Sequence, residues 1–399
     1  MSDLLTLKKI REDLASHKIN KLAASKIVEL IISESDNEEI RAKAIEIFGD
    51  FSIKTEKVFK LLEKGLVSDE SPLVRFSSAK IMIQNFPNHE NSPLFWVIEN
   101  EKSIYFFKKL LDLLETIISK DINEIRLKSN ERVKNIYRLN PEDARFILDI
   151  DFIEYLKFKK EFKNFLEKFK VKETHQKKLI KENTEIGYKG LGRVKSSKQG
   201  YITGLVLTDL DEIPQSITLL SKLESLSINR CKLKKLPNLS SSLQRLKYLN
   251  LSDNQLQNLP EWVFEFSKKE INTEKYVKQG VLHSEAPLLA LLETLAGNEI
   301  IKTDKFIQAS QTYGHYFSLD KNGFIVRIFI KNPQKPKIGI LPRQICNLNN
   351  LEEIYFVNQN IRKIPMCINQ LKVLKILDLR GNNIEKIPKS IQKLEILKL

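Results

Sequence analysis

Histidines, cysteines and paired acids are the residues from which catalysis or metal binding would be built, and in this chain they are dispersed. The five histidines, His17, His89, His175, His283 and His315, fall in separate regions, and none stands at ligand spacing from another. No HExxH, GxSxG or Walker sequence occurs. The nearest imitation of a phosphate loop, GYKGLGRVK from Gly187 to Lys195, does not have its glycines at the motif's spacing and misplaces its lysine, so it reads as hairpin sequence. Glu352 and Glu353 are adjacent acids that could share acid/base work, but no third group supports them. The three cysteines, Cys231, Cys346 and Cys367, include no CxxC pair and have no histidine close by, so neither a disulfide framework nor a zinc site is expected. Cys346 and Cys367 read instead as small core residues of surface turns. The expectation is a protein with no catalytic centre, no metal and no cofactor.

Binding chemistry is better represented. Alternate positions of several short apolar runs carry Ser225, Ser227, Asn229 and Arg230; Tyr248, Asn250, Ser252 and Asp253; Glu353, Tyr355, Val357 and Asn358; and Ile376, Asp378 and Arg380. Residues two apart on a strand share one face, so these columns line the side of a sheet opposite its core. Tyrosine and arginine are enriched among residues that dominate protein interfaces, which makes Tyr248, Tyr355 and Arg380 the leading anchors. The expected protein-binding set is Ser227, Asn229, Arg230, Tyr248, Asn250, Asp253, Tyr355, Asn358, Asp378 and Arg380.

A repeated element must place these columns. LKYLNLSDNQLQNLP, from Leu246 to Pro260, has the form L-x-x-L-x-L-x-x-N-x-L, with Leu246, Leu249, Leu251 and Leu256 facing a core and Asn254 turned inward to cap the end of the strand. Asn382 and Cys231 occupy the same structural position in their own turns, whereas Gln359 replaces the expected asparagine. Pro214, Pro237 and Pro260 are 23 residues apart, as are Pro342, Pro365 and Pro388. One turn cannot bury its own leucines, each worth about 1.5–3 kcal/mol when covered, so the turns must stack. The proline registers define two blocks with an interruption between them.

The interruption repeats an earlier stretch. Leu288, Leu291, Leu292 and Leu295 match Phe162, Phe165, Leu166 and Phe169 at an offset of 126, and GFIVRIFI from Gly323 matches GYITGLVL from Gly200 at 123. A helix and hairpin placed before each block is expected to cap the open edge of its first turn. Residues 267–284 are polar and read as a linker. Ahead of all this, residues 1–150 are helical and repeat at an offset of 34: Ile40-Arg41 and Ala44-Ile45 recur as Val74-Arg75 and Ser78-Ala79. Ser35-Asp36-Asn37-Glu38 offers a capping box, and Ser71-Pro72 an N-cap followed by proline. Small Ala44 and Ser78 would admit close helix packing, and Arg41 and Arg75 read as contacts between repeats. The domains expected are 1–150, helical; 151–266, first cap and block; 267–284, linker; and 285–399, second cap and block. The last repeat is incomplete at LEILKL, which suggests a fragment.

Composition sets outer bounds. The 399 residues, 42% of them hydrophobic, suffice for two or three domains. There is no signal-peptide run in MSDLLTLKKIRED and no apolar stretch of membrane-spanning length, so a cytoplasmic protein is expected. The net charge of +15 is concentrated, since residues 154–198 hold 14 Lys/Arg against 6 Asp/Glu. Binding of nucleic acid or anionic lipid through that segment is the alternative function.

DNEEIRAKA from Asp36 and DESPLVRFSSA from Asp69 resemble HEAT repeats. The Ile-Pro or Leu-Pro step, the period of 23 and tails such as PQSITLLSKL and PMCINQLKVL resemble the short leucine-rich repeats of Ras-associated scaffold proteins and their plant intracellular relatives. The whole resembles the HEAT and leucine-rich repeat proteins of Asgard-type archaea. The resemblance implies an α-helical HEAT-like solenoid followed by an α/β leucine-rich repeat solenoid in two capped blocks. It also implies a non-enzymatic scaffold that holds a protein partner, with a small GTPase as one candidate by analogy.

Overall fold

The computed structural model describes residues 2–87, 89, 92–119, 122–169, 194–240, 244–303, 314–331, 337–388, 391 and 396–398. The chain divides into two compact units, Met1–Gly190 and Leu191–Leu399.

The first unit is helical: α1 (Ser2–Ala15), α2 (Lys21–Glu34), α3 (Glu38–Asp50), α4 (Glu56–Ser68), α5 (Pro72–Asn85), α6 (Ser92–Asn100), α7 (Ile104–Thr116), α8 (Asn123–Tyr137) and α9 (Pro141–Phe169). α3, α5, α7 and α9 pack in succession as one layer, and α4, α6 and α8 form a second layer against it. Small residues set the spacing: a Cβ on Gly65 of α4 would lie 2.6 Å from Ser78 Oγ of α5. Starts follow local chemistry. Ser71 Oγ accepts from Leu73 N at 3.3 Å, with Pro72 at the first turn. The box expected at Ser35–Glu38 forms differently: Asn37 caps α3, accepting from Glu39 N at 2.9 Å and Ile40 N at 3.2 Å. Glu38 is thereby released to accept from Ser71 Oγ at 2.6 Å.

The arginines of the 34-residue offset tie consecutive helix pairs together. Arg41 grips Asp69 with two hydrogen bonds of 3.0 and 2.9 Å, and Arg75 grips Glu101 with two of 2.7 and 3.1 Å. Such forks are the strong, charge-assisted kind, and the hydrogen bond to Asp69 holds the Arg41 pKa above its ordinary value. The boundary expected at residue 150 falls within α9, which continues past that point with Phe146, Ile147, Ile150 and Tyr155 buried on both sides of it.

Among the described residues the second unit contains two sheets. β1 (Val194–Ser196), β2 (Ile202–Leu207), β3 (Ser225–Ile228) and β4 (Tyr248–Asn250) lie side by side in that order. β5 (Ile301–Lys302), β6 (Gly314–Leu319), β7 (Ile325–Lys331), β8 (Glu353–Val357), β9 (Ile376–Asp378) and β10 (Ile396–Lys398) form the other, also in sequence order. All neighbours are parallel except the hairpins β1/β2 and β6/β7. Those hairpins are the pair matched at an offset of 123, and each turns at a glycine of positive φ, Gly200 at 81° and Gly323 at 87°.

Between the sheets run α10 (Glu261–Ser267), α11 (Glu270–Val277) and α12 (Ala286–Ala296). The expected linker at 267–284 is therefore corrected. α11 is folded onto α12, with Tyr276 fully buried and its hydroxyl donating to Glu293 at 2.8 Å. One buried tyrosine and one buried threonine anchor this short helix, too few for an apolar period to show. α12 is buried around most of its circumference and closes the edge of the first sheet, where Leu251 N donates to Thr294 O at 2.8 Å. Of the first helix-hairpin copy, 170–193 and the side chains of Phe162, Phe165, Leu166 and Phe169 lie outside the described residues.

Candidate binding face

The exits of β3, β4, β8 and β9 share one construction. The chain turns in the left-handed region at Arg230 (φ 52°), Asp253 (57°) and Asn358 (60°), and at Gly381 (71°). Asparagine and aspartate tolerate that region better than most residues, and glycine costs nothing there. Arg230, Asp253 and Asn358, expected as binding residues, thus stand at strand-exit corners. Asp253, after β4, also ties that exit to the chain entering β8, because its N–H donates to Lys337 O at 2.8 Å and its carboxylate accepts from Lys337 N at 2.9 Å.

The next residue points inward. Asn254 Nδ2 donates to Ile228 O and Leu251 O, both at 2.8 Å, and Asn382 Nδ2 to Phe356 O at 2.6 Å and Leu379 O at 2.7 Å. Cys231 takes the position with a thiol 3.7 Å from Leu207 O, and burial raises its pKa. Gln359 keeps the ladder despite its extra methylene, donating to Val357 O at 2.9 Å and accepting from Ile338 N at 3.3 Å.

Register assigns the open faces. On the first sheet, Gly204, Ser225 and Tyr248 form one row, and Val206, Ser227 and Asn250 the next. This face carries small residues, mostly polar apart from Val206, and Tyr248, which is half exposed. Asn229 Nδ2 donates to Ser227 Oγ at 2.7 Å, and Ser227 is buried. Asn250 Oδ1 accepts from Ser252 N at 2.9 Å, while Gly297, just past α12, closes over both residues.

The second sheet differs. Ile301, Tyr316, Phe329, Tyr355 and Asp378 follow one another across β5–β9. Ring centroids lie 6.2 Å apart for Tyr316 and Phe329 and 5.6 Å for Phe329 and Tyr355, a continuous aromatic row. Charge flanks it: Arg327 meets Glu353 at 2.8 Å, the Tyr355 hydroxyl donates to Glu353 Oε2 at 2.9 Å, and Arg380 clamps Asp378 at 2.7 Å. Burial, then the bond to Glu353, raises the Tyr355 pKa, so the phenol stays protonated. Asp378 is only 1% exposed, while the Arg380 side chain is 53% exposed.

The ten expected residues are thus split. Ser227, Asn229, Arg230, Tyr248, Asn250 and Asp253 belong to the first sheet and its corners; Tyr355, Asn358, Asp378 and Arg380 belong to the second. Sequence reasoning missed Tyr316, Phe329 and Arg327. The signal was present in the alternation of GHYFSL and IVRIFIK, but these strands stand outside the proline register that guided the columns. The cysteine reading needs correction too: Cys346 and Cys367 are joined as a disulfide. Stacking successive repeat turns brings together two residues 21 positions apart, which no local cysteine spacing reveals.

Among the described residues no group of His, Cys, Asp and Glu could hold a metal, and no helix is long and apolar enough to cross a membrane. The Gly187–Gly190 part of the phosphate-loop imitation and His175 lie outside the described residues.

Comparison with known proteins finds leucine-rich repeats: the family profile described as Leucine Rich Repeat matches residues 245–266 and 373–394. No curated protein matches the chain significantly. A solved leucine-rich repeat protein of Leptospira interrogans is 23% identical over 49% of this chain and 36% of its own, with a TM-score of 0.20. The chain spans about a third of the length of that protein.

Proposed function

We propose that this protein is a non-enzymatic, cytoplasmic scaffold that binds a protein partner on the open faces of its sheets, with the hot spot on the second sheet. The observation that supports this most is the aromatic row Tyr316–Phe329–Tyr355 bordered by the Arg327–Glu353 and Arg380–Asp378 pairs. Apolar centres ringed by polar groups are the usual anatomy of protein interfaces, and leucine-rich repeats generally serve such contacts. Tyr248, Asn250, Asn229 and Arg230 extend the contact onto the first sheet. A small GTPase or another signalling protein is the partner class by analogy with Ras-scaffold repeats.

In this reading the helical unit is a HEAT-like solenoid of the Asgard type that engages a second surface, and each helix-hairpin caps a repeat block. The test is affinity capture from native lysate at moderate salt with nuclease present, comparing the native chain with Tyr355→Ala, Arg327→Ala. A protein held by the first and lost from the second supports the reading; identical retention removes the second-sheet face from it.

The second reading, nucleic acid or anionic lipid on residues 154–198, rests on their 14 Lys/Arg against 6 Asp/Glu. It requires affinity that falls steeply with salt.

A further inference from the structure

Cys346 and Cys367 are not part of the binding chemistry of the second sheet. They sit on the 3-10 turns Arg343–Asn347 and Met366–Gln370, which pack against each other on the far side of the repeats. Repeat packing presents the pair independently of the sulfurs. Each turn follows a proline and closes on the same bond, Ile345 N to Pro342 O and Ile368 N to Pro365 O, both 3.1 Å, over the buried side chains of Ile345 and Ile368. The Cα atoms stand 5.9 Å apart, within the span that a disulfide bridges without moving the backbone. As a thiol, Cys367 would also find an acceptor, since Arg343 O is 3.5 Å from its sulfur. Both redox states therefore fit one backbone.

We propose that Cys346 and Cys367 are a reversible redox clasp that fastens two consecutive repeat turns and so controls how firmly β8, which lies between them in sequence, is held. Cys367 is the more exposed of the two and reacts first. With a glutathione-type disulfide as oxidant, its thiolate attacks one glutathione sulfur, the glutathione S–S bond breaks, and one glutathione thiolate leaves. The Cys346 thiolate then attacks the Cys367 sulfur of the mixed disulfide and expels the second glutathione. The two protein thiols lose two electrons, the oxidant gains them, and two protons pass to solvent. Cys231 takes no part: it is 2% exposed, belongs to the other sheet, and points its thiol at Leu207 O.

The test equilibrates the full chain in glutathione buffers from reducing to oxidising, then counts free thiols by alkylation and mass spectrometry and follows amide hydrogen exchange in residues 343–371. The clasp predicts that Cys346 and Cys367 disappear together while Cys231 stays reduced, and that Cys346→Ser stops at a glutathione adduct on Cys367. It also predicts that exchange across 343–371 slows by about tenfold or more on oxidation of the native chain. Three free thiols under excess oxidised glutathione, a pairing that includes Cys231, or equal exchange in the two states would each overturn it. The exchange comparison uses the unmutated chain, so a poorly folded variant cannot obscure the result.

Discussion

Removing the inward asparagine of the central repeat, Asn254→Ala, should be among the most damaging single changes in the second unit that leave its apolar core intact. Asn254 is 3% exposed, and its Nδ2 makes the two 2.8 Å bonds to Ile228 O and Leu251 O together with a longer one of 3.4 Å to Ser252 O. Each lost bond is worth about 1 kcal/mol net, and a buried carbonyl left without a donor costs about 1–3 kcal/mol more. A small credit offsets this, because Asn254 Oδ1 has no partner among the described residues. The sum is about 3 kcal/mol. The two tryptophans make the assay selective: with Trp96→Phe as background, Trp262, 7% exposed and donating to Pro237 O at 3.0 Å, reports on the second unit alone. Urea titration should show the midpoint falling with an unchanged m-value. Asn254→Cys should recover part of the loss, since Cys231 fills the same place one turn earlier. A cost under about 0.5 kcal/mol at constant m would refute the claim that these side chains hold the strand exits.

Three further outcomes follow from the geometry. Gly339→Ala should destabilise the approach of residue 339 to the Asn254 turn by about 2 kcal/mol or more, because φ is +75° there and a Cβ would lie 2.5 Å from Asn254 O; chemical denaturation of the same Trp262 reporter measures it. Arg75→Ala should cost the helical unit about 2 kcal/mol by removing the fork from Glu101, whose side chain is 6% exposed and keeps the backbone donors Lys102 N and Ser103 N, and Arg75→Lys should recover less than half because an ammonium cannot form the fork; the unfolding midpoint read from Trp96 decides. His315, 4% exposed with Nδ1 unpartnered among the described residues, has its pKa lowered by burial to about 4. Its neutral form is the folded one, so its contribution is complete above the unfolded value near 6.5 and is lost as pH falls from there towards 4. Between pH 7.5 and 4 the native chain should lose about 3 kcal/mol relative to His315→Leu, and parallel losses would contradict the assignment.

The repeats were legible because their signals are local and periodic. The leucine spacing, the proline register and the arginine offset each reflect a contact made again in successive units, as Arg41 with Asp69 and Arg75 with Glu101. What escaped the sequence depends on contacts between turns. α11 has no apolar stripe and is held by Tyr276 reaching Glu293; Cys346 meets Cys367 only once the turns are stacked. Asn37 outcompetes Ser35 as the cap because Glu38 is drawn to Ser71 of the next pair. The binding columns were half legible for the same reason. Alternation shows which residues face outward, but not that Arg230, Asp253 and Asn358 turn corners, that Asp378 is sealed under Arg380, or that Phe329 joins two tyrosines into a row.

The central claim is that the second-sheet row dominates partner binding. Once capture has supplied a partner, its affinity should be measured at one salt concentration for the native chain, for Tyr316→Ala with Tyr355→Ala, and for Tyr248→Ala. The account predicts a loss of about 30-fold or more for the second-sheet variant, as expected for hot-spot residues, and about threefold or less for Tyr248→Ala. Unchanged affinity for the second-sheet variant, or a greater loss for Tyr248→Ala, would contradict it.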